Sequence, residues 1–350
     1  MKPRIVVFGG VHVDIWADYD SHYKDKLDQI GNLLYSIGGT GYNISYILSK
    51  HGVKTTFFSV LNANSYNTIW IKRELASTRI NTRFQINKDT FSENGFVAIR
   101  NNGQLERAVT SSYLSKAEIR EKKIDKVAKG NDLAVIDCNF ETHQIFTIVQ
   151  ACKRHGLKIL FAATSDSKVN RIKPILEALP IEAVTMNEIE AKTFFNTDDV
   201  NSIMPGDIPP NLKYCFITLA EKGHYFFYNG ERMHFPAPMV AEVISSSGCG
   251  DALLAAVAKT LAENNFDIQT CNARIYKYVG KSLTHKTTYI KPTRRKMPKS
   301  VKALWGVIIA ICLAAIFISL VLKKLEVGFM LSIIGVVFAI AQAIRGEMRN

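Results

Sequence analysis

With 350 residues the chain can bury one large core or two ordinary ones, and 47% hydrophobic against 21% charged content excludes a disordered chain. The formal net charge is +13, yet residues 281–350 carry twelve Lys/Arg against two Asp/Glu, so +10 of it sits in the tail and nucleic acid is not an expected partner. Six cysteines, at 138, 152, 215, 249, 271 and 312, show no C-x-x-C spacing, which argues against a zinc site and suits reduced thiols.

In chain order, Arg4–Phe8 is β-branched and apolar, fit for a buried parallel strand and too short for a signal peptide. Gly9-Gly10-Val11-His12-Val13-Asp14 follows at its C-terminal end, where open α/β sheets hold ligands. Ile37-Gly38-Gly39-Thr40-Gly41-Tyr42-Asn43 opens a helix expected over Ile44–His51, closed by Gly52. Val53–Leu61 reads as a strand and Asn67–Ala76 as a helix. Thr82–Ile86, Gly95–Arg100 and Gln104–Thr110 read as strands, the last two joined by the hairpin signal Asn101-Asn102-Gly103. These three break the β–α rhythm and predict a small sheet apart from the main one.

The alternation then resumes. Strands are expected at Leu133–Asp137, Lys158–Phe161 and Ile181–Thr185, with helices at His143–His155, Lys168–Leu179 and Asn187–Phe195. Tyr214–Leu219, Tyr225–Tyr228 and Met233–Phe235 read as strands, and helices Cys249–Glu263 and Ile268–Leu283 finish the domain. Repeated βα units predict a mostly parallel sheet covered on both faces.

The segment with the most chemistry is Ser245-Ser246-Ser247-Gly248-Cys249-Gly250-Asp251, between an expected strand, Pro238–Ile244, and an Ala-rich buried helix. Glycines there let backbone N–H groups approach a ligand, and the helix N-terminus adds positive potential: together, an anion site for a phosphate in transfer. Asp251 beside it can take the proton of an attacking alcohol. The plainer reading is a strand–turn–helix with an acidic N-cap. A helix N-terminus also favours thiolate at Cys249, although that residue reads best as a small space-filler.

After Leu283 the composition changes. Residues 286–302 hold seven Lys/Arg and two prolines, a basic linker. Residues 303–322 and 327–344 carry no charge; twenty residues make about 30 Å of helix, the thickness of a hydrocarbon core. Two helices of a soluble core are the alternative. The larger basic cluster precedes the first run, so the expectation is a multi-pass membrane hairpin with the preceding domain in the cytoplasm. Gly306, Ala310 and Ala314 lie four apart, as do Gly335 and Ala339, a spacing that lets helices pack closely within one chain or between two chains of a homodimer.

Taken together, these motifs resemble the PfkB (ribokinase-like) family of carbohydrate and nucleoside kinases over roughly residues 4–290. The resemblance implies a three-layer α/β/α sandwich with a mostly parallel sheet, spanning 1–285, and a small β lid at about 11–20 and 82–112. It implies ATP and Mg²⁺ as cofactors and a small-molecule nucleoside or sugar as substrate. Asp251 matches the catalytic base and Gly248, Cys249 and Gly250 the anion hole. Gly38, Gly39 and Asn43 match the substrate-side element, and Asp14 the aspartate that holds sugar hydroxyls. Asn187 and Glu190 match the Asn-x-x-Glu element, with Glu190 reaching the metal through water. Thr218, Ala220 and Gly223 match the nucleotide-side turn, and Ser247 belongs with the nucleotide. Gly9–Asp14 with His12, Asp137-Cys138-Asn139, and Ser165–Lys168 lean toward the pseudouridine-kinase-like branch, which gives His12 and Lys168 a place on the substrate side. Lys168 otherwise reads as a solvated charge.

Four departures stand out: Ser245 for the signature's Asp, Cys249 for its Ala, Ala162-Ala163 for Asp-Pro, and Ala220 for Gly. They leave a second reading, a kinase-like sensor that binds a nucleoside or nucleotide and acts through the membrane hairpin.

Overall fold

The computed structural model describes residues 2–19, 30–88, 94–101, 104–243, 248–263 and 266–284. The chain divides into two units, Met1–Lys291 and Pro292–Asn350, and all of the second lies outside the described residues, as do the linker 286–302 and both apolar runs. No helix among the described residues is long and apolar enough to cross a membrane.

The first unit is built from β1 (Arg4–Phe8), β2 (His12–Tyr19), β3 (Gly31–Gly38), α1 (Thr40–Lys50), β4 (Lys54–Phe58), β5 (Val60–Asn62), α2 (Tyr66–Ala76), β6 (Asn81–Thr82), β7 (Gln85–Asn87), β8 (Gly95–Asn101) and β9 (Gln104–Ser111). There follow α3 (Glu121–Ala128), β10 (Leu133–Asp137), α4 (Thr142–Arg154), β11 (Lys158–Ala162), α5 (Asp166–Val169), α6 (Lys173–Ala178), β12 (Ile181–Asn187) and α7 (Glu188–Phe195). It ends with β13 (Leu212–Thr218), β14 (His224–Tyr228), β15 (Glu231–Phe235), α8 (Cys249–Ala262) and α9 (Ile268–Leu283).

The main sheet runs β15-β14-β13-β12-β11-β10-β1-β4-β6. It is parallel from β6 to β13 and antiparallel only at β14 and β15. Its period-2 alternation feeds two cores. On β1, Val6 and Phe8 face the helices α3, α4 and α7, while Ile5 and Val7 face α1, α8 and α9. All four are fully buried, each contributing about 1.5–3 kcal/mol of hydrophobic stabilisation. Strands buried on both faces are what near-continuous apolar runs encode.

A second, four-stranded sheet runs β3-β2-β8-β9. β2 pairs antiparallel with β3 and parallel with β8, setting Asp14 opposite both Ser36 and Phe96. This sheet leaves apolar side chains exposed on β3, β8 and β9, among them Leu33, Val97 and Val109.

Several boundaries differ from expectation. Residues 82–87 are not part of the small sheet: β6 extends the main sheet beside β4, and β7 pairs with β5. The fourth strand of the small sheet is instead β3, whose hydrophobic residues lack a clean alternation. Pro238–Val243 forms no strand; Pro236 and Pro238 cannot donate to a ladder, and Met239 is 98% exposed. The expected helix Lys168–Leu179 is broken by a 3₁₀ turn over Asn170–Ile172 ahead of Pro174, which cannot supply the N–H a continuous helix needs.

Candidate active site

The C-terminal ends of β1, β10, β11, β12 and β13 converge with the N-termini of α1, α7 and α8. A cleft of about 200 Å³ lies there, lined by Thr40, Thr164, Asn187, Glu190, Thr218, Gly248, Gly250, Asp251 and neighbours. A larger groove of about 510 Å³ beside α6 and α7 holds none of the expected residues.

α8 starts because Gly248, at φ 80°, turns the chain into the helix, and Gly248 O accepts the Ala252 N–H. A Cβ at Gly250 would meet nothing within 4 Å among the described residues, so open space lies over the helix N-terminus where its N–H groups are unsatisfied. Asp251 sits in the first turn of that helix. Its Oδ2 accepts one hydrogen bond, from Asn43 Nδ2 at 2.8 Å. Its pKa is pushed up to about 7, chiefly by desolvation and secondly by the charges of Asp137 and Glu190; the Asn43 bond and His12 pull the other way. A carboxyl poised near neutrality is what a general base requires.

A second group of the expected residues lies on β2, β3 and α1. Asp14 is 4% exposed and bonded to His12 Nδ1 at 2.5 Å. A Cβ at Gly38 would meet Asp14 Oδ2 at 2.1 Å, and one at Gly39, which sits at φ 103°, would meet Gly10 O at 2.7 Å. The glycine pair is therefore dictated by the approach of β2 to the start of α1. Asn43 rides on the first turn of α1 and joins this group to Asp251. Its Oδ1, and Ser36 Oγ opposite Asp14, are buried with no partner among the described residues. Such atoms are costly unless a ligand or water meets them.

On the other side, Asn187 and Glu190 form a capping box: Asn187 Oδ1 accepts the Glu190 N–H, and Glu190 Oε2 accepts the Asn187 N–H, both at 2.8 Å. Burial raises the Glu190 pKa. Thr218 closes β13 in the cleft. Ala220 and Gly223 do not line the cleft; they make the tight turn just beyond it, where the Leu219 N–H donates to Gly223 O at 2.7 Å. Ala220 stands at φ 53°, a left-handed conformation in which a Cβ is strained and which glycine adopts freely. Thr164 Oγ1 lines the cleft and is unpartnered among the described residues. Ser36 and Thr164 escaped the sequence reading because nothing in their immediate neighbours marks a lone hydroxyl as buried. Ser245 and Ser247 lie outside the described residues.

One expectation is corrected. Lys168 is no solvated charge: it is half-buried, its Nζ donates to Asn139 Oδ1 at 2.9 Å, and desolvation lowers its pKa. Cys249 fits the space-filling role expected of it, since burial raises its pKa despite the helix N-terminus.

The sequence matches the family described as pfkB family carbohydrate kinase over residues 2–274. It is 21% identical over 271 residues to a tagatose-6-phosphate kinase of Staphylococcus epidermidis, covering 73% of this chain and 84% of that protein. It is 22% identical over 273 residues to the pseudouridine kinase of Escherichia coli, covering 73% and 83%. In fold it is similar to Arabidopsis thaliana ribokinase complexed with ribose and ATP, at a TM-score of 0.69 and 18% identity, covering 82% of this chain and 95% of that one.

Proposed function

The chain belongs to the pfkB family of carbohydrate kinases and is a phosphotransferase with an alcohol acceptor, and we propose that it transfers the γ-phosphoryl group of ATP to a primary hydroxyl of a ribonucleoside, with pseudouridine the leading candidate. The observation that carries the reading is Asp251: a desolvated carboxyl with a pKa of about 7, hydrogen-bonded to Asn43, at the N-terminus of α8 and facing the cleft.

The acceptor hydroxyl gives its proton to Asp251 as its oxygen attacks phosphorus. The N–H groups at 248–250 meet the negative charge that grows on the transferring group. Asp14 and Asn43 hold the other hydroxyls, and Asn43 Oδ1 and Ser36 Oγ gain partners. Asn187, Thr218 and the Ala220–Gly223 turn face the nucleotide. Glu190 supplies an acidic oxygen donor in the lining of the cleft, which suits magnesium. Glu190 would hold it through water, and when bound it neutralises phosphate charge.

A nucleoside is favoured over a phosphorylated sugar by the face of the small sheet that carries Asp14. On that face Phe96 packs against His12 and Trp16, with ring centroids 6.2 and 5.5 Å away, a surface suited to a planar base. A second phosphate would need a cation there, and Arg100 is already engaged by Asp18 at 2.5 Å and by the Trp16 ring. The two uncharged runs, 303–322 and 327–344, support membrane attachment with the kinase domain in the cytoplasm.

The test is nucleotide consumption by the full-length protein with pseudouridine, uridine, adenosine, ribose and tagatose 6-phosphate. Turnover with a nucleoside is expected; turnover with tagatose 6-phosphate alone contradicts the acceptor assignment. Retention of the protein in carbonate-washed membranes checks the anchor.

A further inference from the structure

Asp137 ends β10 and is 0% exposed, yet phosphoryl transfer as described gives it no part. Its Oδ2 accepts the Gly10 N–H at 2.7 Å and an Asn139 Nδ2–H at 3.0 Å, and its Oδ1 accepts the Asn139 N–H at 3.0 Å. Lys168 reaches the same cluster through Asn139. Arg171, nearby, is bonded to the carbonyls of Cys138 and Phe140 and to Glu141.

The turn that Asp137 fixes is the seat of α1. A Cβ at Gly9 would meet Asp137 Oδ2 at 2.4 Å, so carboxylate and turn are in close contact. Gly10 O accepts the Tyr42 N–H at 3.2 Å, and Gly9 backbone packs on Gly41. One residue further, Asn43 donates to Asp251. The path from Asp137 to the base is thus one carboxylate, one glycine turn and one helix start.

We propose that Asp137 is a positioning residue for the base: its charge fixes the Gly9–Gly10 turn that seats α1 and Asn43 against Asp251, and Lys168 is its half-buried counter-charge. The proposal rests on Asp251 as the base. A carboxylate with no water must be compensated by hydrogen bonds and a cation, and this cluster supplies both. The charged groups that act on Asp251 are Asp137 from β10, Glu190 from α7 and His12 from β2. Neutralising Asp137 removes a negative neighbour, so the base should ionise more readily.

The experiment is the pH dependence of kcat/KM in Asp137→Asn, which keeps the size of the side chain and removes its charge. Expected are a roughly ten- to hundredfold loss of kcat from misplacement of the base and an acid limb moved to lower pH. A wild-type limb with wild-type kcat overturns the proposal, whereas turnover surviving in Asp251→Asn overturns the base assignment beneath it. Should Asp137→Asn fail to fold, Lys168→Met decides. Without its cation the buried carboxylate is unpaired when ionised, so the thermal stability deficit should be larger at pH 8 than at pH 5. A deficit that is absent, or equal at both pH values, contradicts the counter-charge.

Discussion

At the end of β10, Asp137 is enclosed and accepts three hydrogen bonds from Gly10 and Asn139. At the start of α8, Asp251 receives one among the described residues, from Asn43, and faces a cleft. Both carboxyls are desolvated and both pKa values are raised by burial. What separates them is how much of the ionised form is met by the protein. Asp137 is met on both oxygens, by Gly10 and Asn139, which offsets part of the cost of burying its charge. Asp251 accepts one hydrogen bond among the described residues, which leaves room for the proton of a substrate hydroxyl in the role proposed for it.

The largest effect that could break this contrast is at Asp251 itself. Asp251→Asn should lower kcat by roughly 10³-fold, within the usual range for a lost general base, while nucleoside binding persists in calorimetry. The same variant should be more thermostable than wild type at pH 8 and no more stable near pH 4. The sign follows from linkage. The folded pKa, about 7, lies above the unfolded one, so the wild-type carboxyl contributes fully at low pH and loses that contribution as pH rises through 7. Neutral asparagine has no such loss.

Next in size, Gly38→Ala would drive a Cβ into Asp14 Oδ2, at 2.1 Å. About a tenfold or greater rise in acceptor KM is expected, with a smaller change in kcat, because the role proposed for Asp14 is to hold substrate and that for Asp251 is to take the proton. An equal loss in both constants would blur the division of labour between the two sides.

For wild type, kcat/KM should fall as pH drops below about 7. Removing the one hydrogen bond that favours the ionised form, in Asn43→Ala, should raise that limb. Asp137→Asn should lower it, so the two variants bracket wild type from opposite sides.

The smallest effect is a control away from both carboxyls. Ala220 holds φ 53°, so Ala220→Gly relieves strain at some cost in chain entropy. A net gain of roughly 0.5–1 kcal/mol in denaturant unfolding is expected, with the pH profile unmoved.

The sequence displayed these regions unequally. The parallel core was legible because strands such as Arg4–Phe8 and Leu133–Asp137 carry unbroken apolar runs of four residues, and α9 lies at Ile268–Leu283 as expected. The small sheet was half legible: β8 and β9 announce themselves by a hairpin signal, while β3 shows apolar Leu33, Leu34 and Tyr35 in succession on an exposed strand. Around the site, Asp251, Asn43 and the glycine pair stand in recognisable spacing. Asp137-Cys138-Asn139 and Ser165–Lys168 stood out as separate motifs, but their contact did not, because Asn139, just after β10, and Lys168, on α5, are 29 positions apart and only the β10–β11 pairing brings them together. Lysine in particular reads as solvated unless its burial is seen.

The most direct measurement is nucleoside-dependent release of ADP by full-length wild type and Asp251→Asn, with nucleoside binding to each measured alongside. The account predicts turnover by wild type and, in the variant, its loss with binding intact. Turnover that survives the substitution would contradict Asp251 as the base. Binding without turnover in both proteins would contradict the kinase reading and leave a nucleoside-binding domain in its place.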